Sequence, residues 1–146
     1  MSSYVSEELR RLVANRAERL CEYCLIHEDD TFYGCEVDHI ISLKHSGATE
    51  AMNLAYACSY CNRNKGSDIA SVSGVTGELV RFFNPRIDLW SEHLRLDGNL
   101  IEPLTTIGEA TARILKFNQS ERVLERQTLI AIGRYPSKPA LVHMRT

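Results

Sequence analysis

The stretch that decides the fold is Cys35-Glu36-Val37-Asp38-His39, followed by Asn53-Leu54 and then by Cys58-Ser59-Tyr60-Cys61-Asn62-Arg63-Asn64-Lys65-Gly66. Residues 32–42 are rich in aromatic and β-branched side chains, which predicts a strand. Residues 54–58 predict the returning strand, and the segment from Cys61 predicts a short helix that ends near Gly66. The order strand, loop, strand, helix therefore predicts a β-hairpin followed at once by a helix.

Four of the five cysteines form two Cys-x-x-Cys pairs, Cys21/Cys24 and Cys58/Cys61, called here the four-cysteine cluster. Two such pairs are typical of a tetrahedral structural zinc site with four thiolate ligands. The 33 residues between the pairs (25–57) are more than the usual spacing. The alternative is a set of buried thiols that bind no metal. The fifth cysteine, Cys35, lies in the predicted strand and is expected to be a small core residue.

A second group, called here the polar cluster, consists of Asp38, His39, Asn53 and Asn62. Hydrolysis of a phosphodiester needs an activated water and neutralisation of charge on the phosphoryl oxygens. His39 can accept a proton near neutral pH, and Asp38 and Asn62 offer oxygen ligands that suit Mg²⁺ or Mn²⁺. Asn53 is interpreted as an orienting group whose side chain ties the loop to the backbone near His39.

Each member of the polar cluster also has a structural interpretation. An Asp-His pair taken alone is most often a surface or core feature, Asn62 could cap the helix, and Asn53 could be a turn residue. Adjacent residues of a regular strand point to opposite faces. Asp38 and His39 can therefore serve one site only where the strand ends or bulges.

Taken together, these motifs resemble the HNH endonucleases of the ββα-metal class, in the subclass with paired Cys-x-x-Cys motifs. The matching pieces are Cys21-Glu22-Tyr23-Cys24, Val37-Asp38-His39-Ile40-Ile41, Gly47, Asn53-Leu54 and Cys58-x-x-Cys61-Asn62-x-x-Lys65-Gly66. In that family the residue matching His39 is the general base, and those matching Asp38 and Asn62 hold the metal. The resemblance further implies that Asn53 orients the base and that the four cysteines bind structural zinc.

The third letter of the family motif is often His, whereas this chain has Asn62. Active members of the family also carry Asn there, so the resemblance still implies catalysis. An amide oxygen is a hard ligand, which favours Mg²⁺ or Mn²⁺ over zinc as the catalytic metal.

The resulting prediction is an endonuclease that cuts DNA by a one-metal mechanism and leaves 5′-phosphate and 3′-hydroxyl ends, with double-stranded DNA as the expected partner. Arg63 and Lys65 after the second cysteine pair, and His45 in the loop, are candidate nucleic-acid contacts; the alternative for His45 is a solvated loop residue.

The alternative function is a non-catalytic zinc module that binds nucleic acid or protein. Such a module has no need for Asp38-His39, which favours the enzyme. A homodimer or a protein partner is left open.

The net negative charge of the chain does not favour binding to DNA. The formal net charge is −2, and residues 21–66 hold three Lys or Arg against seven Asp or Glu, a net of −4. Binding to a phosphate backbone requires positive charge. We therefore expect weak non-specific affinity with strong salt dependence, or assistance from a partner.

Length and composition predict the class of the protein. Its 146 residues, 44% apolar and 25% charged, fit one globular domain spanning residues 1–146. We expect an α+β fold with a ββα-metal core at residues 7–70, formed by a β-hairpin and a short helix joined by the zinc site. An N-terminal helix at about residues 7–20 precedes the hairpin, and an accessory extension at residues 71–146 is expected to pack on this core.

Within the extension, Asp97-Gly98-Asn99 lies between two apolar runs and predicts a hairpin. Capping residues at Thr106 and Asn118 open two predicted helices. The tail from Tyr135, which contains two prolines, is expected to be extended. The fold prediction is thus a core followed by a hairpin and two C-terminal helices.

The cellular location is predicted from patterns that the chain lacks. No apolar run of about 18 residues exists, and the first residues show no signal-peptide pattern. Five cysteines in a reducing compartment argue against a disulfide framework. The sequence thus predicts a cytoplasmic protein with no membrane partner.

Overall fold

The structure, a computed structural model that describes residues 4–146, is built around one antiparallel hairpin. Strand β1 (Cys35–His39) pairs with β2 (Leu54–Cys58), with Cys35 opposite Cys58 and His39 opposite Leu54. Helix α2 (Ser59–Lys65) follows β2 without a loop. All five residues of β2 are buried, because this strand packs into one hydrophobic cluster on each of its faces. The predicted strand, loop, strand, helix order is confirmed.

Strand β1 is shorter than the predicted strand at 32–42. Phe32 and Tyr33 are exposed and lie outside the hairpin, and Gly34 has φ +72°, a left-handed conformation that ends the extended backbone. Beyond His39, the backbone N–H of Ile40 still donates to the carbonyl of Asn53 at 2.8 Å, but regular pairing has ended. The strand predicted from aromatic and β-branched content was therefore too long at both ends.

Helix α1 (Glu7–Arg16) begins at the N-cap Ser6, whose hydroxyl accepts the backbone N–H of Leu9 at 3.1 Å. The helix ends earlier than the predicted residue 20. Glu18 and Arg19 have φ of 52° and 64°, and this reversal directs the chain to the first cysteine pair. The buried face of α1 packs against β2 in a small cluster that comprises Val5, Val13, Ala14, Ala17, Leu54 and Tyr56.

The extension is a series of short elements. They are β3 (Ala70–Val72), β4 (Leu79–Arg81), α3 (Trp90–His93), β5 (Leu94–Asp97), β6 (Leu100–Pro103), α4 (Thr106–Ile114), α5 (Ser120–Ala131) and α6 (Lys138–Arg145). Strands β3 and β4 form one antiparallel hairpin, and β5 and β6 form another. None of the helices found in residues 4–146 has the length and apolarity needed to cross a membrane.

The predicted hairpin and the two predicted helices of the extension are present, with Gly98 at φ +60° in the turn between β5 and β6. The β3–β4 hairpin was not predicted, because its strands have only three residues each. The extended tail was a wrong prediction. Helix α6 forms there, since Ser137 caps it and its proline lies in the first turn, where no backbone N–H is required.

The main hydrophobic core draws on both the hairpin region and the extension. Its members include Leu20, Tyr23, Ile40, Ala57, Phe82, Phe83, Trp90, Leu94, Phe117 and Tyr135. Two hydrogen bonds fix the extension to the first cysteine pair. The indole N–H of Trp90 donates to the carbonyl of Tyr23 at 2.8 Å, and the hydroxyl of Tyr135 donates to the carbonyl of Cys24 at 2.9 Å. The cysteine pair therefore lies at the centre of the packed molecule.

Candidate active site and metal centre

The four-cysteine cluster is assembled from two distant parts of the chain. Cys21 and Cys24 follow the reversal after α1, Cys58 ends β2, and Cys61 lies in the first turn of α2. All four side chains are fully buried and unpaired by disulfides. Their Sγ atoms lie within 4.8 Å of one another, and those of Cys24 and Cys58 are 3.8 Å apart. A tetrahedral zinc with Zn–S bonds of about 2.3 Å needs sulfurs about 3.8 Å apart, so the cluster fits structural zinc.

The backbone of the first cysteine pair forms a tight turn next to the sulfur of Cys21. The N–H of Cys24 points at the Sγ of Cys21 at 3.5 Å, and the N–H of Leu25 donates to the carbonyl of Cys21 at 2.8 Å. This tight turn places Leu25 at φ +65°, which costs a non-glycine residue of order 1–3 kcal/mol. Such strain persists only where surrounding contacts hold the residue in that conformation. A metal bound by Cys21 and Cys24 would provide such contacts.

The pKa values of the thiols in the cluster shift in different directions. Burial raises the pKa of Cys21 and of Cys61 well above its ordinary value. Burial acts in the same direction on Cys24, but hydrogen bonds from the other three cysteines and the charge of Arg122 lower the pKa of that thiol well below its ordinary value. The cluster therefore favours negative charge on at least one sulfur, and the thiolate is the form that binds metal.

Asp38 lies on the face of β1 that packs toward α2, and only 6% of it is exposed. The hydroxyl of Tyr23 donates to its Oδ2 at 3.2 Å, and the Nζ of Lys65 lies 3.2 Å from the same oxygen. Burial raises the pKa of Asp38, although the Lys65 charge acts in the opposite direction. The sequence did not single out Tyr23 as a partner of Asp38, since nothing in the spacing of the two residues indicates the contact.

His39 is the last residue of β1, so the strand ends there and does not bulge. Its Nε2 lies 2.9 Å from the Oγ1 of Thr49, whereas Nδ1 has no hydrogen-bond partner in the part of the chain that the structure describes. The side chain is half-buried. With Nε2 occupied by Thr49, Nδ1 is the nitrogen open to a ligand or to water. Thr49 was also missed by sequence reasoning, because an isolated loop threonine carries no signal.

Asn53 fastens the loop that connects β1 to β2. Its Oδ1 accepts the backbone N–H of Ile41 at 2.9 Å, and its Nδ2 donates to the carbonyls of Ile41 at 2.9 Å and Ala48 at 2.8 Å. Gly47 lies so close to this strand end that an added Cβ would stand 1.7 Å from the carbonyl oxygen of Ile41. The loop is thereby held in one shape, with Thr49 placed against His39.

Asn62 is the fourth residue of α2, which begins at Ser59, so it does not cap the helix. It is half-buried, and no hydrogen bond of its side chain is found within residues 4–146. Residues three apart share one face of a helix, and Lys65, three residues later, contacts Asp38. Asn62 therefore lies on the same side of α2 as Lys65, and its amide oxygen has no hydrogen-bond partner among the described residues.

The three candidate nucleic-acid contacts are in different environments. His45, in a short 3₁₀ turn, is exposed, and so is Arg63, which lies over the ring of Tyr60 at 5.3 Å. Lys65 is only 2% exposed, and its ammonium donates to the carbonyl of His39 at 3.0 Å as well as facing Asp38. Lys65 thus links the side chain of Asp38 to the backbone of His39.

Replacing Lys65 by methionine is expected to lower the free energy of unfolding by about 3–5 kcal/mol, because the change leaves a buried carboxylate without its partner. The measurement is urea denaturation of the zinc-loaded protein, with Lys44→Met as the control, since Lys44 is exposed. In the double variant with Asp38→Asn, part of the loss should be recovered. A stability within about 1 kcal/mol of wild type for Lys65→Met would contradict a buried pair of this strength.

Residues 21–68 match the HNH endonuclease family model. No curated protein and no solved structure matches the chain significantly. The matched range begins at the first cysteine pair and ends just after α2, so it contains all of the four-cysteine cluster and the polar cluster. The resemblance to this family is confirmed, and it indicates a metal-dependent function of the nuclease type.

Proposed function

We propose that this protein is an endonuclease that hydrolyses phosphodiester bonds of double-stranded DNA with one divalent metal ion and a histidine general base. The observation that carries the proposal is the state of His39: its Nε2 is held by Thr49, its backbone carbonyl is held by Lys65, and its Nδ1 is open. The Thr49 contact fixes the orientation of the ring, and the half-buried position leaves Nδ1 accessible to water. His39 is therefore oriented with one nitrogen available.

The base step follows from this orientation. In the neutral ring with the proton on Nε2, that N–H donates to the Thr49 hydroxyl, and Nδ1 carries the lone pair. Nδ1 accepts a proton from the attacking water, and general-base catalysis of this kind contributes about 10²–10⁴-fold. Asn53 supports the step indirectly, because its three hydrogen bonds fix the loop that carries Thr49. We give Asn53 and Thr49 positioning roles.

The metal would be held by Asp38 and Asn62. A carboxylate and an amide oxygen are hard ligands, and Mg²⁺ keeps most of its waters, so two protein ligands suffice. Mg²⁺ or Mn²⁺ bound there supplies stabilisation of negative charge on the phosphoryl group and on the departing 3′-oxygen. Tyr23 and Lys65 hold the Asp38 carboxylate in place through contacts with its Oδ2. The products carry 5′-phosphate and 3′-hydroxyl ends.

Contact with DNA is assigned to the exposed groups Arg63 and His45, which flank the polar cluster from α2 and from the loop. Lys65 was a candidate for the same role from its sequence position. Its burial and its two interactions make pairing with Asp38 the role that we propose for it. Because the chain carries a net charge of −2, the affinity for DNA should be weak and should fall steeply with salt.

The zinc ion on the four-cysteine cluster is proposed to be structural. Four thiolates close the coordination sphere of zinc and leave no position for water or substrate. Its role is to fix the end of β2 and the start of α2, which carry Cys58 and Cys61. Asn62 follows directly in the chain, so the zinc site sets its position. A reducing compartment such as the cytoplasm keeps these thiols available for metal.

The proposal is tested by incubating the zinc-loaded protein with supercoiled plasmid and with Mg²⁺, Mn²⁺ or EDTA. Nicked or linear DNA should form with either metal and not with EDTA, and DNA ligase should reseal the nicks without prior phosphatase or kinase treatment. Nicks that require enzymatic repair of their ends would contradict the proposed products. No cleavage at any metal, salt or DNA form would leave the non-catalytic zinc module as the function.

A further inference from the structure

Arg122 of α5 is buried against the four-cysteine cluster. Only 1% of it is exposed, and its Nη2 lies 3.3 Å from the Sγ of Cys24 and 3.8 Å from that of Cys58, while Nη1 lies 3.7 Å from the Sγ of Cys61. The residue comes from the extension, 98 positions after Cys24. One guanidinium therefore reaches three of the four sulfurs from outside the segment that matches the HNH family.

The ion pair with Glu125 occupies only the Nε of Arg122, and its two terminal nitrogens face the sulfurs. An arginine keeps its proton in proteins, and a buried charge without a partner is costly. Glu125 accepts from its Nε at 3.0 Å, and the ring of Tyr60 lies 4.8 Å from its guanidinium carbon. Neutral thiols are weak acceptors. Four thiolates with one Zn²⁺ carry a net charge of −2 and give the two terminal nitrogens of Arg122 stronger acceptors than neutral thiols would.

Arg126 lies one turn further along α5 and provides an internal comparison. It is also fully buried, but its Nε donates to the carbonyl of Asn99 at 2.8 Å and its Nη2 to the Oδ1 of Asn118 at 2.9 Å. No cysteine sulfur is within hydrogen-bond distance of Arg126 among the residues that the structure describes. The two arginines thus share residue type, helix and burial, and only Arg122 contacts sulfur.

We propose that Arg122 is part of the zinc site: it donates hydrogen bonds to the thiolate ligands, offsets their charge, and thereby fastens α5 to the metal. The zinc site then joins the extension to the segment that matches the HNH family, and its affinity depends on a residue outside that segment. Outer residues that hydrogen-bond to metal ligands typically change metal affinity by about 10–100-fold when they are replaced. The proposal does not depend on nuclease activity.

The test compares zinc-loaded wild type with Arg122→Met and Arg126→Met. Transfer of zinc to excess chelator, followed by a colorimetric indicator, should be about 10-fold or more faster for Arg122→Met. Arg126→Met, which loses a buried arginine but no contact with sulfur, should release zinc within about threefold of wild type. Equal acceleration in the two variants would overturn the proposal, because it would show a general effect of lost packing. Release from Arg122→Met within about twofold of wild type would also overturn it.

A spectroscopic measurement separates hydrogen bonding to sulfur from stability. In protein loaded with Co²⁺ in place of zinc, the thiolate-to-metal charge-transfer bands should move to lower energy in Arg122→Met, because sulfur lone pairs lose a stabilising donor. The bands of Arg126→Met should not move. If Arg122→Met does not fold, Arg122→Lys replaces it, since lysine keeps the charge but not the planar fork. Shifted bands in Arg122→Lys would support the proposal, and unchanged bands would overturn it.

Discussion

Replacing His39 by alanine is expected to reduce the rate of plasmid nicking by about 10²–10⁴-fold at saturating Mg²⁺ or Mn²⁺, since the variant has no group to accept the proton of the attacking water. The fold should be kept, because the side chain is half-buried and its single hydrogen bond goes to Thr49. The rate of loss of supercoiled plasmid is the measurement. Zinc content and unfolding midpoint, measured on the same sample, should equal those of wild type.

The matched control for this prediction is His143→Ala. His143 is exposed on α6, and the structure gives it no contact with the polar cluster. This variant should cleave DNA at the rate of wild type. If His39→Ala keeps more than about a tenth of the wild-type rate, His39 is not the general base. The dependence of cleavage on the metal would then test the rest of the nuclease proposal.

Replacing Cys58 and Cys61 together by serine is expected to abolish zinc binding and folding at once. Structural zinc sites of this type contribute an apparent free energy of about 10–16 kcal/mol, which is as large as the whole stability of an ordinary domain, about 5–15 kcal/mol. Both residues are fully buried, and they connect β2 to α2. Metal analysis should give about one zinc per wild-type chain and none per variant chain, and circular dichroism of the variant should show an unfolded protein.

Cys35→Ser is the control, because Cys35 lies at the start of β1 and is not in the four-cysteine cluster. This variant should keep about one zinc per chain and a cooperative unfolding transition. A wild-type protein that is folded and free of zinc after treatment with a chelator would contradict the structural role of the metal. In that case the cysteines would be buried thiols, the alternative that their sequence spacing left open.

Much of the core could be predicted because its signals are local in sequence. The Cys-x-x-Cys spacing brings Cys21 next to Cys24 and Cys58 next to Cys61 whatever the rest of the chain does. Asn53 could be assigned to the loop because a side-chain amide can bond the backbone of a nearby turn. The bounds of β1 were less predictable, since a positive φ at Gly34 ended a strand that residue preference would have extended.

The extension was predicted only where it carries strong local signals, and its helix caps were placed one residue off. The turn at Asp97-Gly98-Asn99 and helices α4 and α5 are present, but the N-caps of the helices are Thr105 and Gln119, not Thr106 and Asn118. The Asn118 side chain instead bonds the backbone of Ile101. Helix α6 was missed because prolines in the tail were interpreted as breakers of helix, whereas a proline in the first turn is compatible with it. The β3–β4 hairpin was missed because three-residue strands leave no periodic pattern.

By itself, the sequence determined which residues could carry the chemistry: two cysteine pairs, a carboxylate, an imidazole and two amides at spacings that suit zinc and a hard divalent metal. Only the tertiary structure decided how they are supported. It buried Lys65 against Asp38, set Thr49 against His39, and brought Arg122 to the sulfurs. These contacts join residues 10 to 98 positions apart, and a contact at that separation depends on how whole elements pack, which no local spacing records.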